Sequence, residues 1–163
     1  MKIDIGKILE LQKELDDNIH KKHNINENEV FEKRRLALIV EICEMINVNR
    51  CFKFWSLKKD YDKQVLGDEF VDCLHFILSI SLHFGLDETE YEIKDVTYDD
   101  NQLILKVLDL INLANKIKNR NDCKEFIVHL FELAHTFGFT AQDIIDFYIK
   151  KNEINFKRQQ ENY

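Results

Sequence analysis

The sequence predicts an all-α fold, a bundle of about six helices. Proline is absent and glycine occurs only four times in 163 residues, whereas sheets need many tight turns, which favour both residue types. Apolar residues recur at spacings of three and four along most of the chain, as in amphipathic helices. The length favours one domain that spans residues 1–163.

The first half of the chain is predicted to form three helices. Apolar spacing predicts the first over residues 3–22, before a polar connector at 24–29. A second helix, at about 30–48, is apolar on more than one face and is expected to be central. A third runs from 68 to about 84 and ends at Gly85, a typical C-terminal cap.

The second half is predicted to add three more helices after an acidic loop at 87–100. The fourth helix covers 101–119, and the pair at 121–122 (Asn-Asp) is expected to cap the fifth, which ends near Gly138. The segment 140–143 (TAQD) resembles a capping box for a sixth helix that continues to the terminus.

Composition argues against several classes of protein. A formal charge of −7 disfavours binding to a nucleic-acid polymer. The most apolar stretch, FVDCLHFILSISLHFGL, contains Asp72, His75 and His83, which argues against a membrane span. The N-terminus lacks the apolar core of a signal peptide. Cys43 and Cys73 lie in apolar helical runs, so we expect buried thiols in a reducing, cytoplasmic setting.

Two pairs of carboxylates are the main chemical signal. Glu41 and Glu44 are three residues apart on the second helix, and Glu69 and Asp72 are three apart on the third. Residues at i and i+3 share a helix face, so the four carboxylates converge if the two helices pack antiparallel. All-oxygen ligation suits Mg²⁺ or Mn²⁺, which bind substrate phosphates and activate water.

Other interpretations of these acids remain open. A single ExxE pair is common on solvated helices, although two pairs inside apolar runs are harder to explain in that way. His75 follows Asp72 by three residues, as in di-iron bundles, but those need a second such pair, and Asn47 stands three after Glu44. We therefore expect His75 to support the metal ligands or to lie in the core.

Candidate substrate contacts lie at both ends of the chain. Lys151, Asn155 and Arg158 share one face of the sixth helix, which suits phosphate oxygens and a base or sugar edge, although a solvated helix end is the alternative. Gln12 is either a surface residue or a reader of a base edge. Trp55 and its neighbouring phenylalanines either stack on a base or pack in the core.

Five segments resemble, in order and rough spacing, the dimeric all-α dUTPases: ELQKELDD, EICE, FKFW, DEFVDCLHF and YIKKNEINFKRQ. These enzymes belong to the all-α nucleoside triphosphate pyrophosphohydrolases, which include the MazG-type enzymes. The resemblance extends from Leu11 to Arg158. MazG-type enzymes often have EExxE, whereas Val40 precedes Glu41 here, which favours the dUTPase branch. Relatives often have glycine before the final tyrosine, whereas this chain ends RQQENY.

The resemblance implies a homodimer that hydrolyses dUTP, and also dUDP, to dUMP by means of Mg²⁺-activated water. Glu41 would then act as general base. The implied metal ligands and catalytic residues are Glu41, Glu44, Glu69 and Asp72. The implied substrate contacts are Lys151 and Arg158 on the phosphates, Asn155 near the nucleotide, and Gln12 and Trp55 at the uracil.

Two alternatives remain, because the carboxylates specify neither which nucleotide is bound nor whether the protein is an enzyme. A related pyrophosphohydrolase could use the same metal site for another nucleotide, such as dCTP or a damaged base. A non-catalytic all-α dimer could instead bind a protein partner, for example through the acidic loop at 87–100.

Overall fold

Six α-helices make up most of the computed structural model, which describes residues 1–161. This confirms the predicted all-α bundle of about six helices. The last two residues of the terminal RQQENY lie outside the described range. The helices are α1 (Gly6–His23), α2 (Glu27–Asn49), α3 (Lys63–His83), α4 (Asp100–Lys116), α5 (Arg120–Thr136) and α6 (Ala141–Gln160).

A two-stranded antiparallel sheet accompanies the helices. β1 (Lys2–Asp4) pairs with β2 (Glu90–Glu92), and Ile3 lies opposite Tyr91. The prediction that α1 begins at residue 3 and that 87–100 is wholly loop was therefore wrong. In each strand only the middle residue is buried, and one alternation is too short to distinguish a strand from a loop in sequence.

Side-chain caps determine where several helices begin. Asp62 starts α3 five residues earlier than predicted, because its carboxylate accepts bonds from the backbone N–H groups of Gln64 and Val65 at 2.8 and 3.2 Å. Asn119, rather than the predicted pair at 121–122, caps α5. The capping box at the start of α6 is confirmed, with Thr140 as its N-cap.

The centre of the bundle is α3, which packs against α1, α2, α5 and α6. Twelve of its 21 residues are buried. The expectation that α2 is central was wrong, because α2 leaves Leu36 and Val40 exposed. Cys43 lies on α2 and is exposed, contrary to the prediction, whereas Cys73 on α3 is buried as predicted.

A glycine allows α6 to approach α3 closely. A Cβ atom added to Gly67 would lie 2.6 Å from the ring of Phe147. This close packing places the next turn of α6, with Lys151, beside Asp72 of α3. None of the helices within residues 1–161 has the length and apolar character needed to cross a membrane.

Candidate active site

Three carboxylates converge between α2 and α3. Carboxylate oxygens of Glu41, Glu69 and Asp72 all lie within 4.8 Å of one another. The two helices run in opposite directions, because Glu41 faces Asp72 while Val48 and Val65 line a common cleft. The helices therefore pack antiparallel, which is the arrangement that the two pairs, each with a spacing of three residues, require in order to converge.

The fourth predicted ligand, Glu44, is exposed and lies outside this group of three. Its charge is nevertheless close enough to raise the pKa of Glu41 and of Glu69. Of the four carboxylates expected to converge, the structure therefore brings three together within the described residues. Glu44 lies at the solvent edge of the cluster, where a carboxylate needs no partner in order to be solvated.

The electrostatics of the cluster disfavour three negative charges. Burial, followed by the charges of Asp72, Glu44 and Glu69, raises the pKa of Glu41 to about 7. Burial is also the main cause that raises the pKa of Glu69 and that of Asp72. A divalent cation would relieve this repulsion, and all-oxygen donors suit Mg²⁺ or Mn²⁺. The donor set therefore fits such an ion.

Two basic side chains of α6 lie near the acids. The Nζ atom of Lys151 donates a hydrogen bond to Oδ2 of Asp72 at 2.5 Å. The positive charges of Lys151 and Arg158 both act to lower the pKa of Asp72, although burial outweighs them. The face of α6 predicted from spacing therefore does turn toward the carboxylates.

A cavity of about 430 Å³ opens beside the cluster. Glu41 and Asp72 line it at one end, and α6 contributes Asn155 and Arg158 to its wall. Gln12 of α1 also lines it. The volume is in the range of small-molecule sites. One cavity therefore joins the acids to residues predicted separately from the two ends of the chain.

The side-chain amide of Gln12 is held in one orientation. Its Oε1 accepts a hydrogen bond of 2.6 Å from the hydroxyl of Tyr148 and lies 2.8 Å from Nδ1 of His75. Its Nε2 donates to Oδ1 of Asp16 at 2.8 Å. Since the oxygen already has two partners, the remaining hydrogen-bonding capacity of the amide is one N–H donor. The alternative that Gln12 is a surface residue is wrong, because it is only 3% exposed.

His75 is a neutral part of this network. Its ring stacks on Tyr148 with centroids 4.1 Å apart. Burial, with a smaller effect from Lys151, lowers the pKa of His75 to about 3. Because Oε1 of Gln12 is an acceptor, the neutral ring donates a hydrogen bond to it from Nδ1. The buried Nε2 of His75 has no partner within residues 1–161. Of the two expectations for His75, the position in the core agrees with the structure, because His75 is buried and contacts Gln12 rather than one of the carboxylates.

Trp55 lies apart from the cavity. It sits between α2 and α3 in sequence, is 65% exposed, and contacts Phe52 and Phe54 edge to face. It does not line the space that contains Gln12 and Asp72. Core packing, the alternative considered for this aromatic segment, does not describe Trp55 either.

Arg34 is a cavity residue that the sequence analysis did not identify. It lines the cavity and contacts Glu27 and His20. It precedes Glu41 by seven residues, which is two helical turns on the same face of α2. That spacing was the available signal, but a lone arginine on a helix is usually solvated.

Comparison with known proteins identifies the family. A family model described as dUTPase matches residues 4–163, and no curated protein matches significantly. The match covers nearly the entire chain, and the structure supplies the helical bundle and acidic cluster expected from the resemblance. The chain therefore belongs to the all-α dUTPase family.

Proposed function

We propose that this protein is a dUTP diphosphatase that hydrolyses dUTP to dUMP and pyrophosphate with Mg²⁺, and that accepts dUDP as a second substrate. The observation that carries the proposal is the cavity that joins the carboxylate cluster to the oriented amide of Gln12. A metal-binding acidic cluster beside a space of nucleotide size suits cleavage of a phosphoanhydride.

Metal binding is assigned to the carboxylates. Glu41, Glu69 and Asp72 would hold Mg²⁺ or Mn²⁺, and Glu44 joins them from the solvent edge. When bound, the ion supplies positive charge that screens phosphate oxygens and makes water a better nucleophile. The crowding of negative charge in the cluster supports this assignment.

The remaining chemistry is divided among residues around the cavity. Lys151 and Arg158 neutralise negative charge on the phosphates, since both already act on Asp72. Glu41 accepts the proton of the attacking water, because it belongs both to the cluster and to the cavity wall. Asn155 lies on the same wall and contacts the nucleotide.

Selection of uracil is assigned to Gln12. The one N–H left to its amide can donate to a carbonyl oxygen, such as O4 of uracil. Cytosine carries an amino group at that position, which would place two donors against each other. Mismatched polar groups in a buried site discriminate more strongly than a lost methyl contact does. The fixed orientation of Gln12 thus supports a uracil substrate over a cytosine one.

A cytoplasmic homodimer completes the proposal. Leu36 and Val40 on α2, and Leu105 and Leu108 on α4, are exposed on two helices that pack against each other. Such exposed apolar side chains are typical of a subunit interface.

The assignment of Trp55 to a uracil pocket remains a proposal that its exposed position does not support within one chain. All four cysteines are free, which supports a reducing compartment.

The test is a nucleotide panel. We would incubate the purified protein with each deoxynucleoside triphosphate and with dUDP, with and without Mg²⁺, and measure release of pyrophosphate or phosphate. Turnover of dUTP that requires Mg²⁺ and exceeds that of dCTP and dTTP is expected. Selective turnover of another nucleotide would retain the metal site and reject the assignment of Gln12. A well-folded protein without any turnover would favour the non-catalytic dimer.

A further inference from the structure

A second cleft, of about 330 Å³, lies between β2 and α5. We call it the β2 groove. One wall is formed by Glu88 and β2, and the other by the face of α5 that carries Lys124, Glu125, Val128 and His129. None of these residues lines the cavity assigned to the nucleotide. The proposed function so far gives the β2 groove no role.

The β2 groove runs along an unpaired edge of the sheet. Within residues 1–161 the sheet has two strands, so β2 pairs with β1 alone. No residue of β1 lines the groove. The groove therefore borders the other edge of β2, where an additional strand would find backbone groups without a ladder partner.

The register of the sheet determines which backbone groups this edge offers. Met1 and Ile93 exchange two backbone hydrogen bonds of 2.7 Å. Bonded pairs alternate along an antiparallel ladder, so Tyr91 also bonds to β1. The N–H and C=O groups of Glu90 and Glu92 then point away from β1. The groove is therefore bordered by two backbone donors and two backbone acceptors.

The side chains around this edge carry an excess of negative charge. Glu90 and Glu125 are exposed, and neither forms an ion pair within residues 1–161. Glu92 meets a lysine of β1 at 3.7 Å, but both side chains are largely exposed, so the pair contributes little. Lys124 already pairs with Glu88. Three carboxylates therefore remain for a positively charged ligand.

Two buried polar atoms beside the groove lack partners. The hydroxyl of Tyr91 and Nδ1 of His129 form no hydrogen bond within the described part of the chain. Tyr91 is only 5% exposed, and burial, followed by the charge of Glu88, raises its pKa. The hydroxyl is therefore a protonated donor beside the groove. A buried donor without an acceptor is costly, and a backbone carbonyl of a bound segment would supply one.

We propose that the β2 groove binds an extended segment of a partner protein, in which lysine or arginine alternates with apolar residues, as a third strand of the sheet. In an antiparallel pair the basic side chains lie opposite Glu90 and Glu92 on the same face, where opposite charges stabilise the pairing. The apolar side chain between them is directed toward α5, where Val128 lines the groove. A second copy of this chain is disfavoured, because it would place acid against acid.

The first experiment measures binding of a labelled, capped peptide in which lysine alternates with valine, by fluorescence anisotropy at physiological ionic strength. We would compare the native protein with the double variant Glu90→Lys/Glu125→Lys. The matched control is Glu10→Lys/Glu153→Lys, which changes the net charge equally at two exposed acids outside the groove. We expect the dissociation constant to rise about tenfold or more in the groove variant only. Equal affinities of the two variants would overturn the proposal.

The second experiment changes the backbone of the peptide and leaves its charge intact. Methylation of the lysine backbone nitrogens removes the donors that face β2 in the antiparallel arrangement, so binding should be lost. Methylation of the valine nitrogens, which face away, should preserve it. If both methylated peptides bind like the parent, charge alone attracts the peptide and the added strand is rejected. Equal binding of a peptide with glutamate in place of lysine would reject the basic partner.

Hydrogen exchange followed by NMR locates the peptide. Saturating peptide should slow exchange at the amides of Glu90 and Glu92, and should change Tyr91 little, because its N–H is already bonded to β1. Unchanged exchange at both glutamate amides would show that the peptide binds elsewhere. These measurements require no turnover, so they test the β2 groove whether or not the protein hydrolyses dUTP.

Discussion

Two groups of side chains at the cavity satisfy their polar atoms in opposite ways, and we call them the neutral end (Gln12, His75 and Tyr148) and the acidic end (Glu41 and Asp72). At the neutral end, all three side chains are buried and uncharged. The amide oxygen of Gln12 accepts hydrogen bonds from His75 and from Tyr148. At the other end, Glu41 and Asp72 belong to a cluster in which burial and like charge raise the pKa of each acid. At the neutral end the groups bond to one another and leave only Nε2 of His75 and one N–H of Gln12 without a partner within residues 1–161, whereas the repulsion at the acidic end would be relieved by a cation.

This difference separates residues that stabilise the fold in addition to their proposed substrate contact from residues that serve only the proposed metal site. A buried hydrogen bond between neutral groups contributes to stability, and its loss leaves an unsatisfied partner. Crowded carboxylates oppose folding until a cation neutralises them. We therefore expect substitutions at the neutral end to reduce stability, and substitutions at the acidic end to abolish activity without reducing stability.

The largest effect is expected for Glu69→Gln. Removing a proposed metal ligand should reduce kcat/KM for dUTP by about 10³-fold or more, which is about 4 kcal/mol of transition-state stabilisation. Without divalent cations its unfolding free energy should equal or exceed that of the native protein, because one repelling charge is gone. Pyrophosphate release and urea unfolding in a chelator measure the two quantities.

Asp68→Asn is the matched control for this comparison. Asp68 is the preceding residue of α3, accepts a bond from Gln64, and lies outside the three-carboxylate group. It should keep most of the activity. If Glu69→Gln lost stability in the absence of cations, the acidic end would have a structural role and the contrast between the two ends would fail.

A smaller effect is expected for Tyr148→Phe at the neutral end. This change removes the hydroxyl that donates to Gln12 and should lower the unfolding free energy by about 1 to 2 kcal/mol. Because it also releases one constraint on the amide, KM for dUTP should rise more than kcat falls. Denaturant unfolding and steady-state kinetics would measure these changes.

Tyr98→Phe provides the comparison, because the half-buried hydroxyl of Tyr98 also donates to a single side chain, Glu132, at 3.0 Å. Its loss should cost less stability and leave KM unchanged. A Tyr148→Phe protein with native stability and native KM would show that the hydrogen bond to Gln12 matters for neither fold nor substrate.

The smallest effect concerns pH. The native pKa of Glu41, about 7, lies above its ordinary value of 4.5, so between these values the native state holds a proton that the unfolded state has released. The unfolding free energy of the metal-free protein should therefore decrease as pH rises from about 4.5 to 7. Since Glu41 is partly exposed, solvent screening limits its contribution to the unfolding free energy to about 1 kcal/mol or less.

Urea unfolding in a chelator at pH 5, 6, 7 and 8 would test this dependence. Glu41→Gln should flatten it, whereas Glu153→Gln, which changes an exposed acid of α6, should leave it intact. Saturating Mg²⁺ should also flatten the native curve, because the cation replaces the proton. Stability that rises with pH in the metal-free protein would contradict the repulsion assigned to the cluster.

Much of the fold and part of the site could be predicted from local patterns. Helix periodicity extends over many residues, so it predicts α1 to α6 despite errors of a few residues at their ends. The spacing of three within Glu41–Glu44 and within Glu69–Asp72 places each pair on one helix face, so antiparallel packing alone brings three of the four acids together. These features depend on neighbours in sequence.

Features that depend on distant residues required the tertiary structure. β1 exists because Ile3 meets Tyr91, about ninety residues away. Gln12 is a buried amide of fixed orientation only because α3 brings His75 and α6 brings Tyr148 to it. Burial and hydrogen-bond partners arise from packing between helices, and no local pattern encodes which of two apolar faces is covered. For the same reason, the exposure of Trp55 and of Cys43 could be decided only in three dimensions.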